Sequence, residues 1–227
     1  QNTLDLGADS ATTLNISGNA GVIFATGGNT DIADVLTMNA SGITLGAVTN
    51  NGVTYAATYN TVGGVTALTG TNGVDSLTGG AATADTISGG SGVDTLVYTG
   101  GSDTFTGGAG NDVFDLNALG TSAVHLTIAD AVAGDTIEIA GIDNGTATFN
   151  ATKVALGSGA TLAQYLDAAA AGNGGTNSIA RYFDHGGSTY LANDNTAGAT
   201  FAATDALVQF TGIVDLSTAT ISSTVIT

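Results

Sequence analysis

Five aspartates recur at nearly even spacing in one stretch of this chain: Asp75, Asp85, Asp94, Asp103 and Asp112. A large apolar residue stands two places after each, at Leu77, Ile87, Leu96, Phe105 and Phe114. The chemistry open to such a series is the binding of a hard cation. Calcium takes six to eight oxygen ligands at about 2.3–2.6 Å. Aspartate offers carboxylate oxygens on a short stem, and glycine-rich turns bring backbone carbonyls close with little obstruction. The candidate ligand set is therefore the five aspartates with Asn72, Gly73, Gly90, Gly92, Gly108, Gly110 and Asn111 from the turns. Without cations, stacked carboxylates repel one another. With them, binding energy becomes folding energy.

The elements that must position these residues follow from the repeat. Residues 70–115 divide into five units, 70–78, 79–88, 89–97, 98–106 and 107–115. The second has an extra residue around Ala81–Ala84, and the fourth keeps Gly101, Asp103 and Phe105 but begins Tyr98-Thr99 in place of glycines. In the first, Thr71 stands at a usual glycine position. Each unit reads as a turn followed by a short strand, glycine supplying the turn and the Thr/Ser-plus-apolar tail suiting the strand. Two units make one flattened coil of roughly 18 residues, and coils must stack to bury their apolar row. Aspartates two units apart then share an edge, in columns 75/94/112 and 85/103. Ions are expected to bridge Asp75 with Asp94, Asp94 with Asp112, and Asp85 with Asp103.

Around the repeats the chain remains β-like. In residues 1–69 short apolar patches such as Leu14/Ile16, Val22–Phe24 and Val53/Tyr55 are separated by Asn, Gly, Asp and Thr, the pattern of many short strands. A continuing solenoid is favoured over hairpins because the neighbouring repeat is solenoidal. Gly27-Gly28 with Asp34 hints at one eroded metal repeat, but a plain turn is the better reading. In residues 116–227, strands are expected at Val124–Ile128, Thr136–Ile139, Ile179–Phe183, Ser188–Leu191 and Ala206–Phe210. One helix is expected from an N-cap at Thr161 to a stop at Gly172, with Leu162, Tyr165, Leu166 and Ala169 on one face. The expected fold is all-β: a parallel β-roll or β-solenoid with a β-rich C-terminal cap containing one short helix.

Composition removes several function classes. Only Lys153 and Arg181 are basic and the net charge is −17, which argues against nucleic-acid and anionic-membrane partners, since both need Lys/Arg. No apolar run approaches the roughly 20 residues of a membrane span. Gln1, with neither Met nor a charged-then-apolar leader, reads as the start of a fragment. Cysteine is absent, and His125 and His185 lack a partner Cys or a zinc motif. No phosphate loop or nucleophile elbow occurs, so no catalytic residue is assigned. Asp130 and Asp135 are candidates for a further calcium site, Arg181 is expected to pair with Asp184 or Asp194, and Asn15, Asn39, Asn144 and Asn150 match a glycosylation sequon by composition alone.

The units at 70–115, above all Gly89-Gly90-Ser91-Gly92-Val93-Asp94-Thr95-Leu96-Val97 and Gly107-Gly108-Ala109-Gly110-Asn111-Asp112-Val113-Phe114-Asp115, resemble the RTX (repeats-in-toxin) calcium-binding family. Residues from about 118 to 227 also resemble the C-terminal region of RTX surface-layer proteins, through Leu126–Asp130, Gly134–Ile137, Thr161–Ala171, Gly186–Leu191 and Leu207–Gly212. The resemblance implies several calcium ions and an uncleaved C-terminal signal read by a type I secretion apparatus. It also implies folding outside the cell and self-association into a surface lattice. Contact with cell-surface glycan would fall to parts of the protein beyond this chain. The alternatives are an export and folding module of a secreted enzyme, or part of an adhesin.

Overall fold

The computed structural model describes residues 2–4, 12–20, 22–24, 37–43, 53–56, 67–80, 84–119, 124–138, 148–171, 179–194, 198–203, 205–218 and 224–225. Gly27-Gly28 with Asp34, residues 81–83 of the insertion, Asn144 and Gly172 lie outside them. The chain forms two compact units, Gln1–Phe114 and Asp115–Thr227.

In the first unit the chain alternates between two sheets. One contains β1 (Asn2–Leu4), β3 (Val22–Phe24), β5 (Val53–Ala56), β7 (Ser76–Thr78), β9 (Thr95–Val97) and β11 (Val113–Asp115), in that order. The other contains β2 (Thr13–Gly18), β4 (Thr37–Ile43), β6 (Ala67–Thr69), β8 (Thr86–Ser91) and β10 (Thr104–Ala109). Parallel pairing joins β1 to β3, β3 to β5, β5 to β7 and β7 to β9. It likewise joins β2 to β4, β4 to β6, β6 to β8 and β8 to β10. Parallel strands cannot be joined by a tight hairpin and need a crossover. Here the crossover between neighbours in one sheet is a strand of the other sheet. Residues before 70 thus pair in parallel with alternate strands, not as successive hairpins.

Short strands with one apolar residue between two polar ones explain how the unit is held. In Ser76-Leu77-Thr78 and Thr95-Leu96-Val97 the middle side chain is buried and its neighbours are half-buried. Register places Leu77 beside Leu96, and Ile87 between Leu68 and Phe105. All five apolar residues of the repeat are buried, and Met38 and Leu68 extend their row before residue 70. Fully burying a side chain of this size contributes about 1.5–3 kcal/mol.

The second unit contains β12 (Val124–Ile128), β13 (Thr136–Glu138), β14 (Thr148–Asn150), α1 (Leu162–Ala170), β15 (Ile179–His185), β16 (Ser188–Asn193), β17 (Ala206–Phe210) and β18 (Thr224–Val225). Its larger sheet is mixed, running β14-β15-β16-β17-β12. The strand pairs β15–β16 and β16–β17 are antiparallel, and β14–β15 and β12–β17 are parallel. A two-residue turn joins β15 to β16, and Gly186 and Gly187 carry its positive φ angles of 60° and 86°. Two such residues suit the twist of a tight hairpin.

The helix begins on a capping box: the Gln164 N–H donates to the Thr161 hydroxyl, and the Thr161 N–H donates to Gln164 Oε1 at 2.9 Å. Ala169 enters the core with Phe183, Tyr190, Ala192 and Leu207, and Leu162, Tyr165 and Leu166 pack against it. The rings of Tyr165, Phe183 and Tyr190 stack in series at centroid distances of 5.1 and 5.3 Å. Among the described residues no helix is long and apolar enough to cross a membrane.

Charge pairing here departs from expectation. Lys153, not Arg181, meets Asp184, at 2.6 Å, and Asp184 also accepts the Thr189 hydroxyl. Arg181 instead donates to the carbonyl of Ala171 at 2.9 Å. That carbonyl lies at the C-terminal end of the helix, where aligned peptide dipoles favour a cation.

Candidate metal centre

The repeat brings its aspartates into the two expected columns, and backbone hydrogen bonds hold them there. Asp94 Oδ1 accepts the N–H of Asp75 at 2.8 Å, and Asp112 Oδ1 accepts that of Asp94 at 2.9 Å. On the other edge Asp103 Oδ1 accepts the N–H of Asp85 at 2.9 Å. Each carboxylate reaches back one coil. The carbonyls return the link: Asp75 O accepts from Thr95, Asp85 O from Thr104 and Asp94 O from Val113. All five carboxyl-bearing residues are at most 2% exposed.

Burying five carboxylates in two stacks is costly unless something compensates them. One oxygen of each is not compensated alike. Gly80 N–H donates to Asp85 Oδ2 at 2.5 Å, and Thr71 N–H to Asp75 Oδ2 at 2.7 Å. Asp94 Oδ2 and Asp103 Oδ2 are buried with no hydrogen-bond partner. Burial pushes the Asp94 carboxyl up to about 8 and the Asp103 carboxyl up to about 7. The charges of Asp75 and Asp112 add to the first shift and that of Asp85 to the second, while the hydrogen bonds from Asp75 and Asp85 oppose them.

The glycines allow other oxygens to approach the same points. A Cβ added at Gly89 would strike Asp94 Oδ2 and lie 2.6 Å from the Gly107 carbonyl oxygen. One added at Gly79 would lie 2.9 Å from Asp85 Oδ2 and 3.7 Å from Asp103 Oδ2. Oxygens from successive coils therefore converge where only a hydrogen atom leaves room. On the turn ridge the carbonyl of Gly73 faces Gly92, that of Gly92 faces Gly110, and that of Gly90 faces Gly108. Gly92 and Gly110 have φ of 123° and 144°, a backbone state that side chains disfavour. Asn72 and Asn111 stand exposed on the rim of these turns. The donor set is all oxygen, the set a hard cation prefers. Among the described residues no three Asp, Glu or His side chains cluster around one point. A cation here would draw on carbonyls as well as carboxylates, and a carboxylate oxygen without a partner is a fitting anchor for it.

Outside the columns, Asp135 and Asp205 have local work. Asp135 Oδ2 accepts Val132 N–H at 2.9 Å, and Asp205 Oδ2 accepts Ala202 N–H at 2.6 Å, each closing its own turn. His125 is exposed on β12, and His185 meets the Tyr165 ring edge-on. Hydroxyls at the departures from the repeat carry signal that spacing alone missed. Thr71 donates to Asp75, Thr99 donates to the Gly79 carbonyl at 2.8 Å, and buried Tyr98 donates to the Gly101 carbonyl at 3.1 Å. Each stands where the repeat would place glycine, so the irregular positions are the ones that add side-chain donors. No protein-family model matches this chain, and no curated protein matches it.

Proposed function

We propose that the two aspartate columns hold calcium and that the chain is a calcium-dependent structural module of a secreted bacterial surface-layer protein. The observation that carries the calcium reading is the pair of buried, unpartnered oxygens, Asp94 Oδ2 and Asp103 Oδ2. Calcium bound there would draw on Asp94 with Asp112 on one edge and on Asp85 with Asp103 on the other, helped by carbonyls of the glycine turns. It would supply positive charge where stacked carboxylates otherwise oppose each other. In this reading the alternating sheets of the first unit close as a parallel β-roll of the RTX kind.

A net charge of −17 makes the ion-free chain self-repelling. Extracellular calcium modules work at about 10⁻⁴–10⁻³ M, so such a chain is only weakly held together inside the cell and reaches its stable fold after export, here through a type I apparatus reading a C-terminal signal. The surface-layer reading is favoured over an enzyme's export module because strands before residue 70 pair in register with those of the repeat inside one compact unit. Purified protein is expected to assemble when calcium is raised to millimolar levels, seen as a rise in light scattering that EDTA reverses. A chain that stays monomeric throughout would refute the assembly role while leaving calcium binding to be judged separately.

A further inference from the structure

Asp75 and Asp94 occupy equivalent places in consecutive coils, yet their second oxygens are treated differently. Asp75 Oδ2 accepts the Thr71 N–H at 2.7 Å and the Thr71 hydroxyl at 3.0 Å, and the same hydroxyl lies 3.1 Å from Oδ1. The Thr71 oxygen in turn accepts Gly73 N–H at 2.9 Å. Thr71 is buried, 4% exposed. In the next coil its place is taken by Gly90 and in the one after by Gly108, with φ of 114° and 102°. Neither glycine can offer a hydroxyl, and Asp94 Oδ2 has no partner.

We propose that Thr71 takes the place of a cation at the first turn of the 75/94/112 column. Its hydroxyl and N–H donate to the Asp75 carboxylate, and bonds of this charge-assisted kind are about twice as strong as neutral ones. The turn at 70–75 is then complete without calcium. It forms a preset edge on which the calcium-dependent coils behind it stack, and it sets the number of ions on this column below what the count of aspartates would allow. The ion count rests on the calcium reading, and the preset turn on hydrogen bonding alone.

Two measurements on the full chain test it. Calcium stoichiometry by equilibrium dialysis should show one more ion per chain for Thr71→Gly than for the wild type, and no change for Thr71→Ser. Hydrogen exchange in EDTA should show Ser76–Thr78 about tenfold better protected than Thr95–Val97. Thr71→Val, which keeps the N–H bond but loses the hydroxyl, should shrink that difference several-fold, and Thr71→Ser should keep it. An unchanged ion count in Thr71→Gly together with undiminished protection in Thr71→Val would overturn the proposal. Should Thr71→Gly fail to fold even with calcium, the Val and Ser comparison decides. A wild type that binds no calcium would instead refute the metal reading, and the exchange comparison would still decide whether Thr71 caps Asp75.

Discussion

Asp94→Asn is expected to stabilise the chelated protein and destabilise the calcium-loaded one. Asparagine keeps an Oδ1 acceptor for the Asp75 N–H and replaces the unpartnered Oδ2 with a neutral amide. In EDTA at neutral pH the substitution spares folding the uptake of a proton by a carboxyl that burial, with the charges of Asp75 and Asp112, holds up at about 8. A rise of several degrees in melting temperature follows, the effect of about 1 kcal/mol in a domain of this size. In calcium the same change removes the anchor of an ion. An ion present at a hundred times its dissociation constant contributes about 2.7 kcal/mol, and that contribution is lost. Asp94→Ala behaves differently: it strips the Asp75 N–H of its acceptor and should lower stability in both conditions, by about 1–3 kcal/mol in EDTA. Thermal melts of both variants with and without EDTA check the reversal of sign. A shift of Asp94→Asn in the same direction in both would contradict the role given to Asp94 Oδ2.

The second large effect is on pH. In the ion-free fold the Asp94 and Asp103 carboxyls are raised to about 8 and about 7, chiefly by burial, against about 3.9 in an unfolded chain. Between these values the folded state holds more protons than the unfolded one, so stability falls as pH rises. The melting temperature of the chelated protein should therefore drop from pH 5 to pH 8. Calcium needs the ionised carboxylates, so its affinity should rise over the same interval. The gap between calcium and EDTA melts should be narrow near pH 5 and widest near pH 8. A chelated melt that is flat or rises with pH would show that these carboxyls are not raised in the fold.

Much of this architecture was legible because the repeat couples two periods. The Asp-to-apolar spacing places one residue type at the turn and the other in the buried row, and parallel stacking at 18 or 19 residues follows from two units per coil. The capping box at Thr161 and Gln164 and the apolar face of the helix were readable for the same local reason. Residues outside that periodicity are not legible in this way. Leu68 lies nine residues before Leu77 and continues the buried row, but Thr66 stands where an aspartate would have announced the unit. Met38 lies among polar neighbours, and its burial depends on pairing with Leu68. Arg181 was expected to seek a carboxylate, because sequence does not show that the end of the helix lies within its reach. By sequence Thr71 only stands at a usual glycine position, whereas its hydroxyl meets the carboxylate four residues on. Hydrogen-bond partners of this kind depend on side-chain direction, which spacing does not encode.

The most direct test is to strip the full chain with EDTA at neutral pH, titrate calcium back, and follow bound ions and hydrogen exchange together. More than one ion should bind per chain. Protection across Thr86–Ser91, Thr95–Val97 and Thr104–Ala109 should fall about a hundredfold in EDTA, the effect of one ion at a hundred times its dissociation constant, and return with calcium at millimolar concentrations, but not with the same concentration of magnesium, which demands a tighter octahedral shell. Protection that is identical in EDTA and in calcium, with no ion bound, would contradict the assignment of the aspartate columns as a calcium centre.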